Sequence, residues 1–120
     1  MKILAIDDNT DITNLLERIL KAKGHEFSSC SGGKEGLSEI KTNNYDLIFL
    51  DLAMPEFDGE DVIDALNKDG AIKDLNIMLF TASSLTTEKI EEIVAKGAKG
   101  VLNKPVRMKE LLSTVKRFEK

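Results

Sequence analysis

LIFLDLAMPEFDG, residues 47–59, carries an apparent contradiction. Four bulky apolar residues run straight into Asp51, and the chain then breaks at Pro55 and Gly59. An apolar run without polar alternation fits a strand buried on both faces, as in a parallel sheet covered by helices. A carboxylate at the end of such a strand is a turn residue, a metal ligand or a nucleophile. The flanking sequence has to separate these.

Outward from this stretch, strand and helix patterns alternate. YDLIFL (45–50) is the third of five predicted strands. KILAI (2–6) is the first, and HEFSSC (25–30) is a polar second that belongs at a sheet edge. LNIMLF (75–80) and KGVLN (99–103) are the fourth and fifth. Between the first two, Ile12, Leu15, Leu16, Ile19 and Leu20 recur at the spacing of one helix face, and Gly24 sits where a helix C′ residue belongs. GGKEGLSEIKTN supplies a less periodic helix with Leu37 and Ile40, and EDVIDALNK a third with Val62, Ile63 and Leu66. TTEKIEEIVAKG has Thr86 or Thr87 as N-cap and Gly97 at its end. The last helix is predicted from near Pro105, with Met108, Leu111, Leu112, Val115 and Phe118 on one face. Alternation with short connections implies right-handed βαβ crossovers and a parallel sheet covered on both sides.

Composition narrows the class. The chain has 120 residues, 42% apolar and 32% charged, which suits one globular domain over 1–120 with a single core. There is no Trp, and with five Phe and one Tyr the core must be mainly aliphatic. No apolar run approaches the roughly 20 residues that span a bilayer, and MKILAIDD is too short for a signal peptide. A cytoplasmic chain without a membrane partner is expected. The single Cys30 can form neither an internal disulfide nor a multi-cysteine metal site. A net charge of −4 argues against nucleic acid as a partner. Residues 96–120 nevertheless hold eight Lys/Arg against two Glu, a basic bias read as a solvated helix face ahead of a docking patch for an acidic partner.

In a parallel sheet all strands end at one edge, where open α/β folds bind ligands. The residues following the strands are Asp7 and Asp8, then Asp51, then Thr81 and Ala82, then Lys104 and Pro105. Clustered carboxylates repel, and burial disfavours their ionisation further, so the group needs a cation. Oxygen ligands without His or Cys select a hard divalent ion such as Mg²⁺. Lys104 opposite a metal suits a phosphoryl group, whose oxygens need positive charge from more than one side. Thr81 can donate a hydrogen bond to it, and Asp51 can be the nucleophile that forms an aspartyl phosphate. Singly, each residue has a plainer reading: Asp7 or Asp8 as a helix cap, Asp51 as a turn residue, Thr81 as a cap, Lys104 as a solvated lysine. The ordered set at four strand ends is what gives the functional reading its weight.

These residues in this order resemble the receiver domain of two-component response regulators. The likeness rests on IDDN after the first strand, D-x-x-M-P-x-x-D-G around Asp51, TA after the fourth strand and NKP after the fifth. The resemblance implies a flavodoxin-like (βα)5 fold with strand order 2-1-3-4-5. It implies phosphorylation of Asp51 by a phosphohistidine of a sensor histidine kinase or phosphotransfer protein. Mg²⁺, replaceable by Mn²⁺ or Ca²⁺, would be held by Asp8, Asp51 and the Ala53 carbonyl, with Asp7 acting through water. Thr81, Ala82 and Lys104 would bind the phosphoryl group, and the Lys104–Pro105 peptide would be cis.

Two positions depart from the commonest pattern. The place of the family's switch aromatic is Val101, and Ala53 and Ser83 stand where side chains influence the lifetime of the acyl phosphate. Output is expected through the fourth helix, fifth strand and fifth helix to an unidentified partner protein, since no DNA-binding segment follows residue 120. The resemblance implies a signalling phosphoacceptor rather than an enzyme. The alternatives are a Mg²⁺-dependent phosphohydrolase, disfavoured by Ala53 where a second Asp is usual, and a receiver-like binding module that is never phosphorylated.

Overall fold

The computed structural model describes residues 1–82 and 85–119. Five parallel strands stand in the order β2-β1-β3-β4-β5: β1 Lys2–Ile6, β2 Glu26–Cys30, β3 Leu47–Asp51, β4 Ile77–Thr81 and β5 Gly100–Asn103. Five helices connect and follow them: α1 Thr10–Ala22, α2 Gly33–Thr42, α3 Gly59–Lys68, α4 Thr87–Ala95 and α5 Met108–Phe118. This is the expected flavodoxin-like order, with the polar β2 at one edge.

Strand side chains alternate between the two faces and so feed two separate cores. On one face Leu4, Ile6, Ile48, Leu50 and Leu79 pack with Val62, Ile63 and Leu66 of α3, Ile40 of α2 and Ile93 of α4. On the other, Ile3, Ala5, Phe49 and Phe80 pack with Leu16 and Leu20 of α1 and Leu111 and Val115 of α5. Phe49 and Phe80 stack with ring centroids 5.1 Å apart. β3 and β4 are buried along their whole length, which makes them the rigid centre of the sheet. Truncating such a side chain typically costs about 3–5 kcal/mol.

Several boundaries differ from the sequence reading. The fourth strand starts at Ile77, because residues Ala71–Asp74 form a 3-10 turn that Leu75 closes by donating its N–H to the Ile72 carbonyl. Tyr45 and Asp46 lie outside β3, where the Asp46 carboxylate instead accepts the Lys2 N–H at 2.7 Å. α5 starts at Met108, not near Pro105. Lys104 is still tied to the sheet edge, its N–H donating to the Thr81 carbonyl at 2.8 Å, and Arg107 is the N-cap. Leu15 and Met108, expected on buried faces, are 40% and 57% exposed. Gly24 and Gly97 follow their helices with φ of 88° and 135°, the left-handed region in which glycine is the least strained residue. No helix among the described residues is long and apolar enough to cross a membrane.

Candidate functional site

The C-terminal ends of β1, β3, β4 and β5 bring Asp7, Asp51, Thr81 and Lys104 to one edge. Asp51 is the last residue of β3, so its backbone is fixed by the central ladder, and Leu52 continues it by donating to the Phe80 carbonyl at 3.0 Å. Asp7 follows β1 directly and donates its N–H to the Cys30 carbonyl at 3.0 Å. Both acids are 1% exposed, whereas Asp8 faces solvent. One carboxylate oxygen from each of the three lies within 4.8 Å of the others.

The plain reading of Asp7 and Asp8 as helix caps is ruled out. Asn9 caps α1, its Oδ1 accepting the N–H groups of Asp11 at 3.0 Å and Ile12 at 3.4 Å. Asp7 Oδ1 accepts the N–H of Asn9 at 2.9 Å. Asp51 does make a local turn contact, accepting the Ala53 N–H on Oδ1 at 3.2 Å, but this occupies only one oxygen. An Asn directly before a helical period was the sequence signal for the cap. A second such signal lies after Asp51: Asp58 and Asp61 form a reciprocal capping box at the start of α3.

Lys104 reaches back into the acids. Its Nζ lies 3.0 Å from Asp7 Oδ2 and 3.3 Å from Asp51 Oδ1. Asp7 Oδ2 is buried and, despite the nearby ammonium, has no donor aligned for a hydrogen bond. Burial first, and then the charge of Asp7, push the Asp51 carboxyl up to about 6, although the Ala53 N–H and Lys104 oppose this. Burial alone would depress Lys104, but pairing with the carboxylates of Asp7 and Asp51 outweighs it and holds its ammonium above the usual range. Two buried acids and an exposed third, facing a single lysine, leave a local excess of negative charge.

The Thr81 hydroxyl donates to the carbonyl of Ala82 at 2.8 Å. Ala82 and Ala53 are exposed at the rim. Val101, on β5, is partly buried against the helix layer of α2, α3 and α4. The Lys104–Pro105 peptide is cis. Ser83 lies outside the described residues. Cys30 is buried, and its thiol is pushed up to about 12 by burial and by Glu35, so it stays protonated at neutral pH.

The profile of the response regulator receiver domain matches residues 3–116. The chain belongs to that family. As a receiver domain it is 36% identical over 115 residues to a probable transcriptional regulator, ycf27, of Porphyridium aerugineum, an alignment covering 96% of this chain and 46% of the relative. It is 33% identical over 116 residues to the response regulator MprA of Mycobacterium leprae, covering 97% and 50%. The receiver spans about half the length of these curated relatives. Among solved structures, the chemotaxis protein CheY4 of Vibrio cholerae superposes with a TM-score of 0.86 at 30% identity, covering 98% of both chains. The response regulator TrrA of Thermotoga maritima, solved in complex with Mg²⁺-BeF, gives 0.82 at 30% identity with the same coverage. Receiver domains of two-component response regulators form a phosphoacceptor family, and the acidic cluster here is compatible with a divalent metal.

Proposed function

We propose that this receiver accepts a phosphoryl group on Asp51 from a phosphohistidine of a sensor histidine kinase or phosphotransfer protein. The observation that carries the reading is the buried Asp7–Asp51 pair facing Lys104 at the ends of β1, β3 and β5. Asp51 Oδ1 is engaged by the Ala53 N–H and Lys104, which leaves Oδ2 as the attacking oxygen. Attack forms the Oδ2–P bond as the P–N bond of the phosphohistidine breaks, and the imidazole departs with the bonding pair. With its carboxyl at about 6, Asp51 is mostly ionised at neutral pH and therefore competent as a nucleophile. Lys104 then pairs with the phosphoryl oxygens, the N–H of Ala82 borders them, and the Thr81 hydroxyl leaves the Ala82 carbonyl to donate to them.

Three carboxylates within 4.8 Å, one with a buried oxygen that no donor is aligned on, fit a hard divalent cation such as Mg²⁺, with Mn²⁺ or Ca²⁺ as substitutes. Asp7, Asp8, Asp51 and the Ala53 carbonyl would hold it. Once bound, such an ion supplies positive charge that offsets the transferring phosphoryl group. The modified Asp51 carries a dianion in place of a single charge, and the turn of Thr81 passes that change to α4 and β5. Val101 offers no ring to rotate, so the signal travels as a shift of backbone and aliphatic packing toward a partner protein on the α4–β5–α5 face.

Incubation with acetyl phosphate and Mg²⁺ tests the assignment. The expected result is one added phosphoryl mass on wild type and none on Asp51→Asn; equal labelling of both would overturn it.

A further inference from the structure

We propose that Gly33, the first residue of α2, is a positioning residue that seats the β3–α3 loop beside Asp51, an inference that rests on the phosphoacceptor reading above. The loop, residues 52–58, carries Ala53 and leads into the capping box of α3. Gly33 is buried against it. A Cβ built on Gly33 would lie 2.1 Å from the carbonyl oxygen of Phe57 and 2.9 Å from its ring. The nearest obstacle is backbone, so no rotamer change can relieve it; the loop itself would have to move.

A second observation shows that the loop needs such a seat. Glu56 adopts φ of 67°, a left-handed conformation that a glutamate does not choose unaided. Phe57 then folds back, its N–H donating to the Pro55 carbonyl at 2.7 Å. Leu52 and Met54 anchor one end of the loop in the core and the Asp58 cap anchors the other. The strained middle is held where the Phe57 carbonyl meets α2, and only a residue without a side chain permits that approach. Gly33 touches neither phosphoryl group nor metal. It acts through Phe57 on the backbone that presents Ala53, two residues after Asp51 ends the strand.

Gly32 and Gly97 supply the comparison. A Cβ on Gly32 meets nothing within 4 Å, whereas one on Gly97 would lie 2.9 Å from Ile72, remote from the acidic edge, at a φ of 135°. The experiment measures Mg²⁺ affinity by calorimetry, the Mg²⁺ dependence of labelling by acetyl phosphate, and thermal stability. Gly33→Ala is expected to weaken Mg²⁺ binding about tenfold, the lower end of what supporting residues around a metal cost. The Mg²⁺ concentration for half-maximal labelling rises in step, while the rate at saturating Mg²⁺ approaches that of wild type. Gly32→Ala keeps wild-type affinity, and Gly97→Ala loses stability without losing affinity. Phe57→Ala, which truncates the half-buried ring, supplies a second arm should Gly33→Ala fail to fold, with a weakening in the same direction expected. Wild-type affinity in folded Gly33→Ala, or in Phe57→Ala where the first variant does not fold, overturns the inference. So does a loss of affinity in Gly97→Ala as large as that in Gly33→Ala. These outcomes leave the phosphoacceptor reading intact, since that stands or falls on labelling of Asp51→Asn.

Discussion

Among the described residues, two clusters combine several carboxylates with lysine, and their electrostatics run in opposite directions. At the sheet edge, Asp7 and Asp51 share one ammonium, Lys104, in a buried setting that raises Asp51 to about 6. Between α3 and α4, Glu60 and Asp64 face two lysines: Lys89 lies 3.1 Å from Glu60, and Lys96 lies 3.0 Å from Glu60 and 2.8 Å from Asp64. There the hydrogen bond from Lys96, followed by that from Lys89, holds the Glu60 carboxyl below its usual range. The same functional groups hold a raised carboxyl where burial leaves acids in excess of cations, and form a surface fastening where the charges balance near water. The fastening has work to do, because Ile93 is the one fully buried residue of α4.

The comparison can be broken or sharpened by substitution. Its largest expected effect is a gain. Asp51→Asn, the variant expected to resist labelling, should in metal-free protein at about pH 8 stabilise the fold by roughly 1–3 kcal/mol. The folded carboxyl titrates at about 6, above its ordinary value of 3.8. Its ionised form is therefore a penalty above that pH, and the penalty is relieved as pH falls from about 6 to about 4. Urea unfolding of the variant and wild type at both ends of this range checks it; a gain that does not shrink in acid would show that burial of charge is not its source.

Lys104→Ala should act the other way, costing about 1–2 kcal/mol without metal, a buried-pair loss discounted because the ammonium keeps one side open to water. Mg²⁺ should then raise the melting temperature of the variant by more than that of wild type, since the metal answers a larger excess of negative charge. Equal shifts would indicate that Lys104 does not compete for those oxygens.

Glu60→Gln is expected to have the smallest effect, a fraction of the Lys104→Ala loss, seen first as faster amide exchange in α4. Salt at about 1 M should erase the difference from wild type by screening the exposed lysines. Because the Glu60 carboxyl is lowered, its contribution is complete above the ordinary carboxylate range and lost as pH falls through the lowered folded value. The stability of Glu60→Gln should therefore depend less on pH in that acid region than that of wild type. A variant that remains salt-sensitive would place the effect in other charges.

The fold was legible because its signals are local and redundant. Apolar runs at Leu47–Asp51 and Ile77–Thr81 are long enough to read, and alternation with helical periods leaves few topologies. The acids and lysine at the strand ends were legible for the same reason, since topology alone brings strand termini together. What escaped depends on distances between distant segments. Nothing in the local sequence tells that Lys104 reaches both Asp7 and Asp51, that Thr81 spends its hydroxyl on Ala82, or that Glu56 is left-handed. The start of α5 was misplaced because proline suits a first helical turn generally, whereas here residues 104–107 complete the edge before Met108 begins the helix. Leu15 and Met108 kept the helical period and still face water, because a periodic position guarantees a direction on the helix and not a neighbour to cover it.

The cap on α1 has a wider consequence. Asn9 closes that helix by itself, so neither Asp7 nor Asp8 is spent on doing so. Architecture and chemistry are thus written in adjacent letters that can be edited separately. A change at position 9 would be felt as a fraying helix, at about 1 kcal/mol, whereas a change at 7 or 8 would be felt as altered charge at the edge. An engineer seeking a receiver with a different ionic appetite could rewrite the acid pair and expect α1 to stay wound.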